Sequence, residues 1–412
     1  MEAIKQPVRG TQDFLPTETR IREYVRKKIL DSYAEYGFLQ IKTPILENIE
    51  LLNGSDGGDN LRLMFKILKR GEKLDLTSIK SEDDLVDMGL RYDLTVPLAR
   101  FYSNNCEKLP MPFKSIQIDD AFRAERPQRG RLRQFVQCDI DILGDASNNA
   151  EIECLMVSAN AMMNIGFTNF EYKVSDRRIL TDLILKAGFP VENISSVCIT
   201  LDKLDKIGID GIKNELIQKN FVGNVDILIS SIQKVQENGI DALRELDVNK
   251  EAVSNVSKIV NAVNLLSKGK NFSASFDISI IRGQGYYTSS VFEIYANGFS
   301  GACGGGGRYD TMIEKISGKK SPAVGFSLGF ERLCLILNEQ NFVPPQKEMI
   351  ALIFDNGAEF TSVFAYAQEL SKNYVVNSAP KAKNFNNQLL KLKENGFTKW
   401  VYFEEKIVKE IK

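Results

Sequence analysis

Five arginines, Arg123, Arg126, Arg129, Arg131 and Arg133, crowd one short stretch of a chain whose 53 basic and 54 acidic residues otherwise balance to a formal net charge of -1. Guanidinium forks match phosphate oxygens, so a nucleotide is what such a loop could hold. A solvated hairpin tip is the bland alternative. Two features favour binding: Arg123 falls inside an alternating, strand-like pattern, and Phe135 on the return strand offers an aromatic face to a base. Period two then places Phe135, Gln137, Asp139 and Asp141 on one side of that strand, with Val136, Cys138, Ile140 and Ile142 on the other. One side is a core wall, and the other is unusually polar for so apolar a neighbourhood.

The run Gly304 to Gly307, followed by Arg308-Tyr309-Asp310, invites a phosphate-loop reading, but no GK[ST] follows it. Nor does Gly283-x-Gly285-x-x-Thr288 complete a dinucleotide fingerprint. These glycines suit a close backbone approach to a ligand or a crowded crossing. The pair Tyr286-Tyr287 by itself reads as core aromatics rather than as a binding wall. The chain contains no histidine, which excludes Ser-His-Asp, Cys-His and His-ligated zinc chemistry together. Six cysteines form no CxxC pair and read as idle thiols in a reducing compartment. Arginine, carboxylates, tyrosine, glutamine, backbone dipoles and a magnesium ion are the remaining tools.

The elements that must position these groups follow from periodicity. The spacing predicts a helix over 17–37, with Thr17 as N-cap, Ile21, Val25, Ile29 and Tyr33 recurring every four residues, and Gly37 ending it. FLQIKTPILE reads as a strand interrupted by Pro44, hence at an edge or interface. Residues 53–90 are too uneven to place. Residues 110–144 form a hairpin around the basic loop. Residues 148–164 are helical, and 177–270 is a long Lys/Glu-rich helical stretch. Strands return near 275–296 and after the glycine run, followed by a helix. Pro344-Pro345 marks a linker, and the tail alternates as a small α/β module. With 43% apolar and 26% charged residues, no long apolar run and no signal-peptide pattern, a soluble cytoplasmic protein without membrane attachment is expected.

Taken in order, the segments resemble a class II aminoacyl-tRNA synthetase and, within that class, the histidyl-tRNA synthetase family. FRAERPQRGRLRQF at 122–135 is similar to the second class motif and GFSLGFERL at 325–333 to the third, with Pro44 in the first. The opening PVRGTQDFLP matches too, as do LRYDLTVPLARFY at 90–102, QCDIDILG at 137–144, RGQGYYTSSVFE at 282–293 and GGGRYD at 305–310. Gln284-Gly285 stands where the family usually has Leu-Asp, and Ser289 where it usually has Gly.

The resemblance implies an α+β fold: a six-stranded antiparallel catalytic sheet flanked by helices, working as a homodimer. It would divide into a core (1–176 and 271–337), a helical insertion (177–270), a linker (338–346) and a shortened anticodon-binding-like α/β domain (347–412). It implies that Arg123 holds the α-phosphate of ATP, Glu125 and Phe135 meet the adenine, Arg131 reaches the far phosphates and Arg332 covers the nucleotide from the other side. Asp93 and Thr95 would bind the α-ammonium of histidine. Gln137, Asp141, Tyr286, Tyr287 and Tyr309 would meet or line the amino acid, with Asp141 accepting an imidazole N–H. Arg282 and Arg123 would be catalytic, with Mg2+ on the phosphates and no protein-held metal. The expected partners are histidine, ATP and tRNA(His). The alternative is a synthetase-like regulatory subunit of ATP phosphoribosyltransferase, a non-enzyme with the same fold.

Overall fold

Pro16, whose missing N–H costs nothing in a first turn, opens α1 (Pro16–Ala34). Glu18 accepts the Leu15 N–H at 3.1 Å, so the helix begins one residue before Thr17 and the cap comes from a carboxylate instead. Its apolar stripe is buried as the spacing required, with Val25, Ile29 and Tyr33 fully enclosed. Gly37 takes φ +78° in the turn beyond Ala34. The computed structural model describes residues 5–55, 58–71, 74, 77, 79–280 and 285–411. It divides into two units, one built on Val25–Ile336 and the other on Leu337–Lys412 with Asp13–Tyr24.

In the larger unit Pro44 splits the expected strand into β1 (Leu39–Gln40) and β2 (Leu46–Asn48). A short helix α2 (Ile49–Asn53) follows, then β3 (Lys66–Leu68), β4 (Val86–Leu90) and α3 (Thr95–Asn105). The segment that sequence could not place thus supplies β3 and β4 of a three-stranded sheet of order β2-β4-β3. The basic hairpin is β5 (Phe113–Phe122) and β6 (Gln134–Leu143), followed by α4 (Asn148–Ile165) and β7 (Phe170–Asp176). Helices α5 (Arg177–Lys186), α6 (Ile194–Leu201), α7 (Leu204–Gln218), α8 (Val225–Glu245) and α9 (Lys250–Leu266) fill the Lys/Glu-rich stretch. Then come β8 (Phe272–Phe276), β9 (Ser290–Ala296), β10 (Ala302–Arg308), α10 (Asp310–Ser317), β11 (Ala323–Leu328) and α11 (Phe330–Glu339).

The main sheet has eight strands in the order β1-β5-β6-β11-β10-β9-β7-β8. Every pairing from β5 to β7 is antiparallel, while the outermost pairs β1/β5 and β7/β8 are parallel. The six-stranded expectation therefore describes the antiparallel centre, with one parallel strand added at each side. Of the expected strand stretch 275–296, β8 ends at Phe276 and β9 begins at Ser290, and residues 285–289 are not strand. The glycine run is β10 itself. A Cβ on Gly306 would overlap the Gly325 carbonyl oxygen, and one on Gly307 would come within 2.8 Å of the Tyr287 ring. These glycines serve a crowded strand crossing.

The two faces of β6 differ as alternation required. Cys138, Ile140 and Ile142 are buried in the core, where Phe326, paired with Ile140, meets Tyr172 edge-on at 5.8 Å. Tyr172 in turn bonds Ser158 of α4. On the opposite face, Asp139 pairs with Gln117 of β5 and Ser327 of β11, and Asp141 with Ser115 and Gly325.

The smaller unit contains β12 (Met349–Phe354), α12 (Phe360–Leu370), β13 (Val375–Pro380), α13 (Phe385–Glu394), β14 (Lys399–Tyr402) and β15 (Val408–Glu410). Its sheet order is β13-β12-β14-β15, parallel except for the last pair. Helices on both faces explain why MIALIF is apolar without alternation: Ile350 and Leu352 pack toward Val363, and Ala351 and Ile353 toward Leu392.

Candidate active site

The site is assembled on the polar face of β6 and on the segment that links β4 to α3. Arg123, just past β5, donates from Nε to the Tyr92 carbonyl at 2.9 Å, which ties the basic loop to that linking segment. Its guanidinium carbon lies 5.0 Å from the Phe135 ring centre, so the arginine and the aromatic face expected to take a nucleotide are adjacent. Arg131 at the loop tip is half exposed and paired with Glu125 at 3.4 Å. Gly130 brings the same loop against Arg332, where a Cβ would come within 3.2 Å of Arg332 Cγ. Arg332 donates to the Ala302 carbonyl and lies over Phe299. Glu331 beside it accepts the Val136 N–H at 3.1 Å, fastening α11 to β6.

Beyond Arg123, Asp93 Oδ1 accepts the Val96 N–H at 3.1 Å at the start of α3. Burial pushes the Asp93 carboxyl up to about 6, against the pull of that N–H, of Arg123 and of the Tyr286 hydroxyl. Tyr286 also bonds the Thr95 side chain. Asp141 accepts the Tyr309 hydroxyl at 2.6 Å. Its carboxyl is pushed well above the usual range by burial and by the neighbouring Asp139 charge. Rings of Tyr286 and Tyr287 meet at 4.9 Å, and Tyr286 and Tyr309 at 6.1 Å. Gly325 opposite Asp141 has to be glycine, since a Cβ there would overlap the Asp141 carboxylate.

The structure therefore gathers Asp93, Thr95, Asp141, Tyr286 and Tyr309 into one neighbourhood, with Gln137 and Arg123 beside it. Arg282 and Gln284 lie outside the described residues. Two groups escaped the sequence reading. Asp139 stood on the polar face by parity but received no role; it is buried and its carboxyl is pushed up to about 7 by burial and by the Asp93 charge. Arg91 is wholly buried and donates to the Thr43 and Asp120 carbonyls, knitting the Pro44 segment to β5. Its only sequence signal was its position two residues before Asp93.

What the neighbourhood can do is set by its unmatched atoms. Asp93 Oδ2, Gln137 Oε1 and Asp141 Oδ2 are buried without a hydrogen-bond partner among the described residues. Buried acceptors are seldom left so unless something else donates to them. Three acceptors, beside the unmatched hydroxyl of Ser115, call for an N–H-rich, cationic ligand, next to an arginine and ring suited to a nucleotide.

The histidyl-tRNA synthetase family model matches residues 10–333. A probable histidine–tRNA ligase of Tropheryma whipplei is 36% identical over 411 residues, covering 97% of this chain and 95% of its own length. A histidine–tRNA ligase of Leifsonia xyli is 37% identical over 379 residues, 89% of this chain and 87% of that one. Among solved structures, histidyl-tRNA synthetase from Nostoc sp. PCC 7120 aligns with a TM-score of 0.75 at 23% identity, covering 97% of this chain and 91% of that one. An ATP phosphoribosyltransferase regulatory subunit/histidyl-tRNA synthetase from Bacillus halodurans aligns at 0.76 and 19% identity, covering 98% and 99%. At those identities the structural likenesses speak for the fold. The sequence matches, together with the motifs in their order, place the chain in the histidyl-tRNA synthetase family.

Proposed function

We propose that the chain is an ATP-dependent histidine–tRNA ligase that joins histidine to AMP and passes the histidyl group to the 3′ end of tRNA(His), with the roles assigned above to its residues. The observation that carries this reading is the set of unpartnered buried acceptors, Asp93 Oδ2, Gln137 Oε1 and Asp141 Oδ2, beside the Arg123–Phe135 pair.

The chemistry needs no histidine in the protein. The substrate carboxylate is already ionised and attacks the α-phosphorus of ATP itself, expelling pyrophosphate. The tRNA hydroxyl then attacks the adenylate carbonyl. Protein groups contribute alignment and positive charge where negative charge grows on the phosphate oxygens. Arg123 would hold one α-phosphate oxygen and Arg282 another. Phe135 would stack on the adenine while Arg332 covers it. Arg131 would exchange Glu125 for the terminal phosphates. At the other end, Asp93 and Thr95 would bind the α-ammonium and Asp141 the imidazole N–H, with Tyr286, Tyr287 and Tyr309 excluding water.

Magnesium would arrive on the ATP phosphates, where it needs only one or two protein carboxylates. Among the described residues no group of three or more His, Cys, Asp or Glu is placed to hold a metal ion by itself. Pairing as a homodimer around the Pro44 segment and tRNA contact through the basic loop and the smaller unit complete the proposal. No helix among the described residues is long and apolar enough to cross a membrane. The test is exchange of labelled pyrophosphate into ATP by the purified chain: it should depend on histidine, and no exchange with any amino acid would favour a regulatory role instead.

A further inference from the structure

Gln137 and Asp139 stand two residues apart on the same face of β6. The Gln137 amide nitrogen lies 3.3 and 3.2 Å from the two oxygens of the Asp139 carboxylate. Once ionised, above the value of about 7 to which burial raises it, the Asp139 carboxylate only accepts, whereas an amide can turn either its NH2 or its oxygen to a neighbour. The contact therefore decides the amide's orientation: its NH2 faces Asp139, and its oxygen faces away. That oxygen is Oε1, buried and without a partner among the described residues. Ser327 on the paired strand β11 stands directly opposite Asp139. Asp139 is itself buried beneath Gln137, which is only partly enclosed.

We propose that Asp139 is a positioning residue that locks the Gln137 amide so that its oxygen, not its NH2, is offered to an N–H of the bound amino acid. This rests on the histidine-activation reading and deepens it. With Asp93 Oδ2 and Asp141 Oδ2, Gln137 Oε1 completes three acceptors, set beside the unmatched hydroxyl of Ser115 opposite Asp141. An amide turned the other way would set NH2 against the N–H groups of a cationic ligand, losing one hydrogen bond and adding a repulsion. Asp139 thus shapes selectivity without touching the ligand.

Asparagine at 139 keeps the size and abolishes the lock, because two amides can pair in either sense. The experiment is steady-state pyrophosphate exchange by the full chain, varying histidine and ATP separately. Asp139→Asn should raise the KM for histidine about tenfold to a hundredfold, the loss expected for a hydrogen bond to a charged group. The KM for ATP should stay within about twofold, and Asp139→Asn should add no further loss once Gln137→Met has removed the amide, since groups acting through one contact do not add. Should Asp139→Asn not fold, Asp139→Ser, which also frees the amide, takes its place in the same cycle. Losses that multiply in the double variant, or a KM for ATP that rises as far as that for histidine, overturn the proposal while leaving histidine activation standing. An unmutated chain that shows no histidine-dependent exchange overturns the activation reading, and this inference with it.

Discussion

Two buried constellations of charge share the main sheet and are built in opposite ways. Arg308 at the end of β10 and Glu151 on α4 meet through two contacts of 2.7 Å. The remaining guanidinium donors reach the Asp145 and Ser147 carbonyls, and Ser290 donates to Glu151 at 2.8 Å. Opposite charges meet, Asp310 adds a further contact to the guanidinium at 3.4 Å, and both Glu151 oxygens are bonded. Asp93, Asp139 and Asp141 lie as deep, yet three like charges share one space, burial pushes all three carboxyls upward, and acceptors stay unmatched. The first arrangement holds the fold together by itself. The second is incomplete until a cation enters, the kind of compromise in stability that functional sites carry.

The contrast can be broken most forcefully at Glu151. Glu151→Ala leaves the buried Arg308 guanidinium with only the longer 3.4 Å contact to Asp310, and urea unfolding should show a loss of up to about 3–5 kcal/mol. The folded fraction should keep its KM values for histidine and ATP. A loss no larger than an ordinary surface substitution gives would remove the distinction between the two constellations. The reverse pattern is expected at Arg282, which the family resemblance places at the reacting phosphate: Arg282→Ala should lower the adenylation rate about 10²–10³-fold, the effect of losing one preorganised donor, with unfolding unchanged. Near-normal exchange in that variant would take the arginine out of the mechanism. Smaller again, Asp141→Ala should weaken histidine binding about tenfold to a hundredfold, the cost of a charge-assisted hydrogen bond. ATP binding should barely move, and equal losses in equilibrium titrations would contradict the assignment.

Much of the acidic constellation is legible in the residue pattern alone, and almost none of the paired one. Strand parity puts Gln137, Asp139 and Asp141 on one face, because alternation depends only on local geometry. Alternation also locates the hairpin, and the 3.6-residue period locates α1. What parity cannot supply is which neighbour fills the space beyond a side chain. The bond between Asp141 and Tyr309 spans 168 positions, and that between Arg308 and Glu151 spans 157. The glycines of β10 resemble a ligand loop until Gly306 is set against Gly325, a contact fixed by strand register. Residues 53–90 are illegible because β3 and β4 are short pieces, paired with each other and, through β4, with the earlier β2, so no local period is long enough to register.

The finest probe of the comparison is pH. In the unfolded chain Asp139 titrates near 3.8, and in the folded chain near 7, raised first by burial and then by the Asp93 charge, while Ser327, Gln137 and Arg123 pull it down. Asp141, which titrates with it, faces the same space. The folded state thus holds the proton more tightly than the unfolded one. Stability from this group must fall as pH rises from about 4 through about 7, with the cost complete above that. Asp139→Asn removes the charge, so in the absence of histidine the variant should match the parent near pH 4 and exceed it by about 0.5–2 kcal/mol at pH 8, the usual gain from relieving a functional compromise. The Arg308–Glu151 pair is untouched by that substitution, so any slope the two proteins share belongs to the rest of the molecule and only their difference reports on the acidic cluster. Unfolding curves at pH 4, 6 and 8 for the two proteins suffice: parallel curves would mean that the acidic cluster is as well compensated as the paired one, and that its unmatched atoms are not what marks the site.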